Sequence, residues 1–200
     1  MIRALLSLLI LITLLSPGIH LSAQPFQLDT SGKITFVEVV EADSMRKEEL
    51  FQNATLWFEG FKKKVKTKMT RFEKDSINSK LSGDFQFMVY SQSGILSKTS
   101  GAVSYTLTIE MKDNRYRYVF TDFIFHHYKQ NRNYEYVETG VTKPLEEVQA
   151  KGWQKLWDSH RLTAYNKTGE EIKSLKTKIL EREKQPVAAP LAVNAKKTDW

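Results

Sequence analysis

"KDNRYRYVFTDFIFHHY", residues 112–128, decides the fold. It follows "VSYTLTIEMK" (103–112), and between the two runs stands Asp113-Asn114, a dipeptide that tolerates the positive φ angles of a two-residue hairpin turn. Such a turn fixes the register: Met111 faces Tyr116, Ile109 faces Tyr118 and Leu107 faces Phe120. The other side then carries Glu110 against Arg117, Lys112 against Arg115 and Thr108 against Val119. Successive side chains alternate across a strand, so the tyrosines form one apolar ladder and the arginines one wet face. A core hairpin explains the pattern without a ligand. Beyond Phe120 the parity slips, with Phe123 and Phe125 on the other phase. A bulge near Thr121-Asp122 and burial of both faces fit equally well.

Working outward, "GKITFVEVVEA" (32–42) is β-branched and aromatic, and reads as a strand. Asp43 or Ser44 can cap the helix that follows, with Glu48 and Glu49 near its positive end. Leu50, Ala54, Trp57 and Phe61 recur there at helical spacing, widened by Phe51 and Phe58. That stripe makes Trp57 a core residue rather than a cofactor platform. Lysines 62–64 finish the helix, and Val65, Thr67 and Met69 alternate with Lys66, Lys68 and Arg71 as a short strand. After a turn at 73–76, residues 77–90 alternate as a half-buried strand, and "SQSGILSKTSGA" (91–102) reads as a flexible loop. A last helix is expected over 143–167, starting at Pro144, with Leu145, Val148, Leu156 and His160 as its stripe and Trp153 and Trp157 beside it. A break at Asn166–Gly169 precedes a charged helical extension whose narrow apolar face is Ile172, Leu175 and Ile179. The order is β-α-β-β-β-β-α, an α+β domain with one medium-sized core.

The first 23 residues read differently from the rest. Arg3, an apolar run from Ala4 to Leu15, then Pro17-Gly18 and a small-residue exit at Ser22-Ala23 make a secretory signal peptide. The run is shorter than the ~20 residues that span hydrocarbon. Without residues 1–23, 177 remain, and the loss of Arg3 takes the formal charge from +7 to +6. The expected organisation is signal peptide 1–23, linker 24–31, α+β domain 32–167, charged helical extension 168–184 and disordered Pro/Ala-rich tail 185–200. The chain has no cysteine, which excludes disulfides, thiol nucleophiles and Cys-type zinc sites. An exported chain without disulfides suits a bacterial envelope, periplasmic or envelope-associated.

The blocks "VEVVE", "LF..A..WF" and "YT..IE.KD.RYRY.F.DF" together resemble a secreted Bacteroidetes-type domain-of-unknown-function family with a TATA-binding-protein-like fold, over roughly residues 32–125. The resemblance implies a curved antiparallel sheet with helices on one face. It implies no activity and no functional residues.

Candidate chemistry is sparse. His126 and His127 are adjacent on a strand and point to opposite faces, and His160 lies on a distant helix, so no metal site is expected. No phosphate loop, metalloprotease helix or nucleophile elbow is present. No cofactor is implied. Nucleic-acid binding is disfavoured, because the tyrosines are spent in the core and export separates the chain from the genome. The expectation is an exported, non-catalytic binding domain that recognises a protein or an anionic envelope component. Its candidate surface is the basic face of Arg115, Arg117, Lys66 and Lys68. The alternatives are a hydrolase whose catalytic carboxylates one sequence does not reveal, and a purely structural partner subunit.

Overall fold

The computed structural model describes residues 28–61, 66–93, 96–147 and 152–182. The expected signal peptide, residues 24–27 of the linker, the lysines at 62–64 and the tail lie outside the described residues. The elements are β1 (Phe36–Glu41), α1 (Lys47–Phe61), β2 (Thr67–Asp75), β3 (Lys80–Ser93), β4 (Leu96–Lys112), β5 (Arg115–Gln130), β6 (Tyr136–Pro144) and α2 (Gln154–Ile179). All pairing is antiparallel, in the order β1-β5-β4-β3-β2. β6 shares the edge of β5 with β1: β1 takes the first half, from Phe36↔Phe120 to Glu41↔Arg115, and β6 the second, from Ile124↔Pro144 to Gln130↔Tyr136.

The hairpin has the expected register, Met111↔Tyr116 through Leu107↔Phe120 on one face and Glu110↔Arg117 on the other. Asn114 supplies the positive φ of the turn, at 64°. The turn also caps α1. The Asp113 carboxylate accepts from Lys47 N at 2.9 Å, and the Asn114 side chain accepts from Ser44 N at 3.0 Å. Neither Asp43 nor Ser44 is the cap expected from sequence, because a distant turn reaches the helix start first.

Past Phe120 a bulge restores the alternation. Asp122 sits at φ 56°, the pairing with β4 shifts between Ser104 and Thr106, and Phe123 returns to the core fully buried. The inner face thus carries Leu81, Phe85, Phe87, Val103, Tyr105, Leu107, Ile109, Tyr116, Tyr118, Phe120 and Phe123, all buried under the two helices. From α1, Leu50, Ala54, Trp57, Phe58 and Phe61 are buried against them.

Three expectations need correction. The segment 91–102 is not a loop: β3 runs to Ser93 and β4 starts at Leu96, and small polar residues pair there as a strand because backbone bonds do not depend on side-chain hydrophobicity. Pro144 does not start a helix; it ends a sixth strand, and α2 begins at Gln154. That strand is exposed along nearly its whole length, so it shows no one-sided pattern. Finally, α2 passes unbroken through Asn166–Gly169, and the boundary expected at 167/168 falls inside it. Thr168, Glu171, Leu175 and Ile179 are buried, so burial overrides weak helix propensity and residues 168–179 belong to the core. Two smaller shifts are that β2 extends to Asp75 and that Leu28 of the expected linker bridges to Ile34.

Polar clamps hold α2 on the sheet. Tyr105 donates its hydroxyl to Glu171, and Thr67 donates to the same carboxylate at 3.2 Å. Lys176 Nζ lies 2.6 Å from Glu38, which also accepts from Tyr118 at 2.5 Å. Lys176 and then Tyr118 hold the Glu38 carboxyl below the usual range. At the far end, Asn53 of α1 donates to the carbonyls of Ile179 and Glu181 at 2.9 and 2.8 Å, closing the open end of α2.

Candidate functional site

Where β5 runs beyond β1, its inner face meets the first turns of α2. Phe125 and His127 point inward there, the β6 residues Val141–Lys143 form one wall, and Trp153, Leu156, Trp157 and His160 form the other. Ser91, Thr99 and Ser100 close the floor, leaving a cleft of about 380 Å³. This lies within the size range of small-ligand sites. Phe125 stacks on the His160 ring with centroids 5.2 Å apart and meets Trp157 edge-on at 5.5 Å. Trp157 donates to the Glu147 carbonyl at 2.9 Å, which fixes its ring. Lys143 Nζ stands 5.9 Å from the centre of that ring and 3.5 Å from Glu147. Trp153, 61% exposed, stands at the mouth.

His160 is the buried polar group of this wall, 1% exposed, with Nε2 2.9 Å from Ser100 Oγ. Burial pulls its pKa down to about 4, so the ring is neutral at physiological pH. In the unfolded chain a histidine titrates near 6.5. Between these values the unfolded chain binds a proton that the folded chain refuses. Stability is therefore complete above pH ~6.5 and is lost as the pH falls toward 4. Urea melts at pH 7.0 and 4.5 should differ by about 2 kcal/mol from this group, and His160→Gln should remove that part of the difference. Glu38, also held low, adds its own loss below its unfolded value near 4.3.

The sequence-derived basic face comes out divided. Arg115 and Arg117 are exposed on the open side of β5, beside Glu110, Lys112 and Val39. Lys68 is on β2 opposite Gln86, and Lys66 precedes that strand. Following the register, Gln86 pairs with Ser104, whereas Arg117 pairs with Glu110, six residues further along β4. Three strand spacings and six residues put the two pairs about 25 Å apart, at opposite corners of one face. Glu41 and Glu110, directly across from Arg115 and Arg117, dilute the charge further. The two adjacent histidines diverge as expected: His127 lines the cleft, and His126 lies on the open face between Ser104 and Glu138. Among the described residues no group of three or more His, Cys, Asp or Glu gathers as a metal site.

Sequence reasoning missed the cleft. Its residues come from positions 91 to 160, and β6, which forms a wall, carries no amphipathic signal. The unabsorbed clue was the cluster Trp153, Trp157 and His160 on one helix start.

The sheet, helix order and register invite comparison with known families, and one model covers the β1–β5 region. Residues 36–126 match DUF4468, the domain of unknown function with TBP-like fold. The match ends at His126, so β6 and α2, which complete the cleft, lie beyond the matched DUF4468 segment. Among solved structures, a DUF4468 family protein from Bacteroides ovatus has a TM-score of 0.57 at 14% identity, covering 82% of this chain and 95% of its own. A TBP-like protein from Parabacteroides distasonis has a TM-score of 0.51 at 15% identity, covering 77% and 99%. These likenesses show the fold alone. No curated protein matches the chain. Among the described residues no helix is long and apolar enough to cross a membrane.

Proposed function

We propose that this protein is an exported binding domain of the bacterial envelope that takes a sugar unit of an envelope glycan into the cleft between β5, β6 and α2. The observation that carries the reading is the composition of the cleft: aromatic rings of Phe125, Trp153 and Trp157 beside the small hydroxyls of Ser91, Thr99, Ser100 and Thr142. A pyranose has an apolar C–H face and a rim of hydroxyls. The exposed Trp153 ring offers a surface for the first, and the serines and threonines are two-way partners for the second. Lys143 Nζ, 3.5 Å from Glu147, is the cation for which the carboxylate of an acidic sugar would compete. Among the described residues no carboxylate lines the cleft, so binding rather than glycosidic cleavage is proposed there.

Titration of tryptophan fluorescence with hexuronate oligosaccharides, beside neutral hexose oligomers of equal length, tests the reading. Saturable binding is expected for the acidic series, about tenfold weaker in Trp153→Ala, and unaffected in the double variant Arg115→Glu, Arg117→Glu. Binding lost in the arginine variant but kept in Trp153→Ala would move the site to the open face. No saturable binding by either series would remove the glycan reading.

A further inference from the structure

On the side of β5 away from the cleft, three side chains stand in a chain of hydrogen bonds. Ser104 lies mid-β4 in register with Ile124, and the bulge at Asp122 turns His126 onto the same face as its diagonal neighbour. Ser104 Oγ is 2.8 Å from His126 Nε2, and His126 Nδ1 is 2.8 Å from Glu138 Oε1 on β6. A carboxylate on Nδ1 fixes the proton there. Nε2 is left as an acceptor, and the Ser104 hydroxyl donates to it. A hydroxyl held against an imidazole that is itself oriented by a carboxylate is the arrangement of an activated nucleophile.

The surroundings suit that role. A shallow cavity of about 320 Å³ opens over Ser104 and His126, lined also by Thr70, Gln86, Thr106 and Ile124. Gln86 stands directly across from Ser104 on β3, where its side-chain amide can donate to an oxygen developing charge. Lys68, across from Gln86 on β2, adds positive charge on the same row. Of the two nearby acids, Asp84 is held by Arg71 at 2.7 Å and Asp122 by Lys33 at 2.7 Å.

We propose that Ser104, His126 and Glu138 form an acyl-transfer site that hydrolyses small esters of short acyl chains. Ser104 Oγ attacks the ester carbonyl carbon while its proton passes to His126 Nε2. Gln86 donates to the resulting oxyanion. Collapse breaks the bond to the leaving oxygen, which takes the proton from His126 and departs as the alcohol. Water, deprotonated by His126, then attacks the acyl-Ser104 carbonyl, releasing the carboxylic acid and restoring the hydroxyl. Ester and water become acid and alcohol, with no other reactant. The acyl group lies against Ile124. Glu138 is a positioning residue, holding the ring in the required tautomer.

The test is hydrolysis of p-nitrophenyl acetate by the purified protein, with mass spectrometry after treatment with a fluorophosphonate. The expected result is an adduct on Ser104, with turnover at background in Ser104→Ala and roughly 100-fold lower in His126→Ala. Glu138→Gln should lower kcat and displace the acid limb of the pH profile, a change no merely structural residue would produce. The charged groups around His126 in that assay are Glu138 on β6, Asp84 on β3 with its partner Arg71 on β2, and Asp122 on β5 with its partner Lys33. Ser82→Ala, on the same face but away from the array, should behave as the parent, and circular dichroism identifies any variant that has not folded. An unlabelled Ser104, or hydrolysis that survives Ser104→Ala, would overturn the proposal.

Discussion

Phe85→Ala is expected to lower the free energy of unfolding by about 4 kcal/mol. Phe85 is fully buried at the centre of the inner face. Its ring stacks on Tyr105 at 5.3 Å and meets Phe61 at 4.8 Å, Phe58 at 5.7 Å and Trp57 at 6.4 Å. It therefore joins the meander to α1, and through Tyr105 and Glu171 to α2. Removing it opens a void among rings too rigid to collapse, so the loss exceeds the transfer term alone. Against a total stability of 5–15 kcal/mol, much of the folding free energy goes with one side chain. Urea denaturation reads the change as a shift in midpoint at constant slope. Ser82→Ala, on the same strand but the opposite face, should stay within ~0.5 kcal/mol. Equal losses at the two positions would contradict the assignment of faces.

Gly101→Ala should cost about 3 kcal/mol, although it adds a single methyl group. A Cβ at Gly101 would lie 2.2 Å from the His126 carbonyl oxygen and 2.6 Å from the Phe125 ring. The first neighbour is backbone within the β4–β5 ladder, where Ala102 pairs with His126, and it has no room to retreat. The second is the ring that stacks on His160 and abuts Trp157. Strain at this point therefore passes into the cleft wall as well as the sheet. A thermal melt should fall by roughly 6–12 °C, accompanied by a changed tryptophan emission. A variant as stable as the parent would mean that β4 and β5 stand further apart than described.

The hairpin was legible from residues 103–120 because a two-residue turn leaves one register that puts every tyrosine inside. The phase slip at Phe123 was legible too, but its cause was not. Only the positive φ of Asp122 separates a bulge from burial on both faces. β6 escaped because an edge strand exposed on both sides has no period-2 contrast. The continuity of α2 escaped because Asn166 and Gly169 are poor helix formers, and the contacts that override them, such as Glu171 with Tyr105, join residues 66 positions apart. Alternation assigned Arg115, Arg117 and Lys68 to the side of the sheet they occupy, yet it says nothing about distance across the sheet, and Lys66 lies before β2. The array at Ser104, His126 and Glu138 is hidden for a related reason. Until the bulge is placed, His126 falls on the same side as the core tyrosines.

The proposed ligand enters between the start of α2 and the β5–β6 end of the sheet. Tryptophan placement allows a direct measurement. Trp153 and Trp157 line the cleft, whereas Trp57 lies in the core, donating to Ser174 Oγ at 3.1 Å. With 5-fluorotryptophan incorporated and each resonance assigned by substitution, fluorine NMR during addition of hexuronate oligosaccharide reports which ring feels the ligand. Saturable shifts are expected at Trp153 and Trp157, with Trp57 unmoved. Saturation of binding with both cleft resonances unchanged would contradict it.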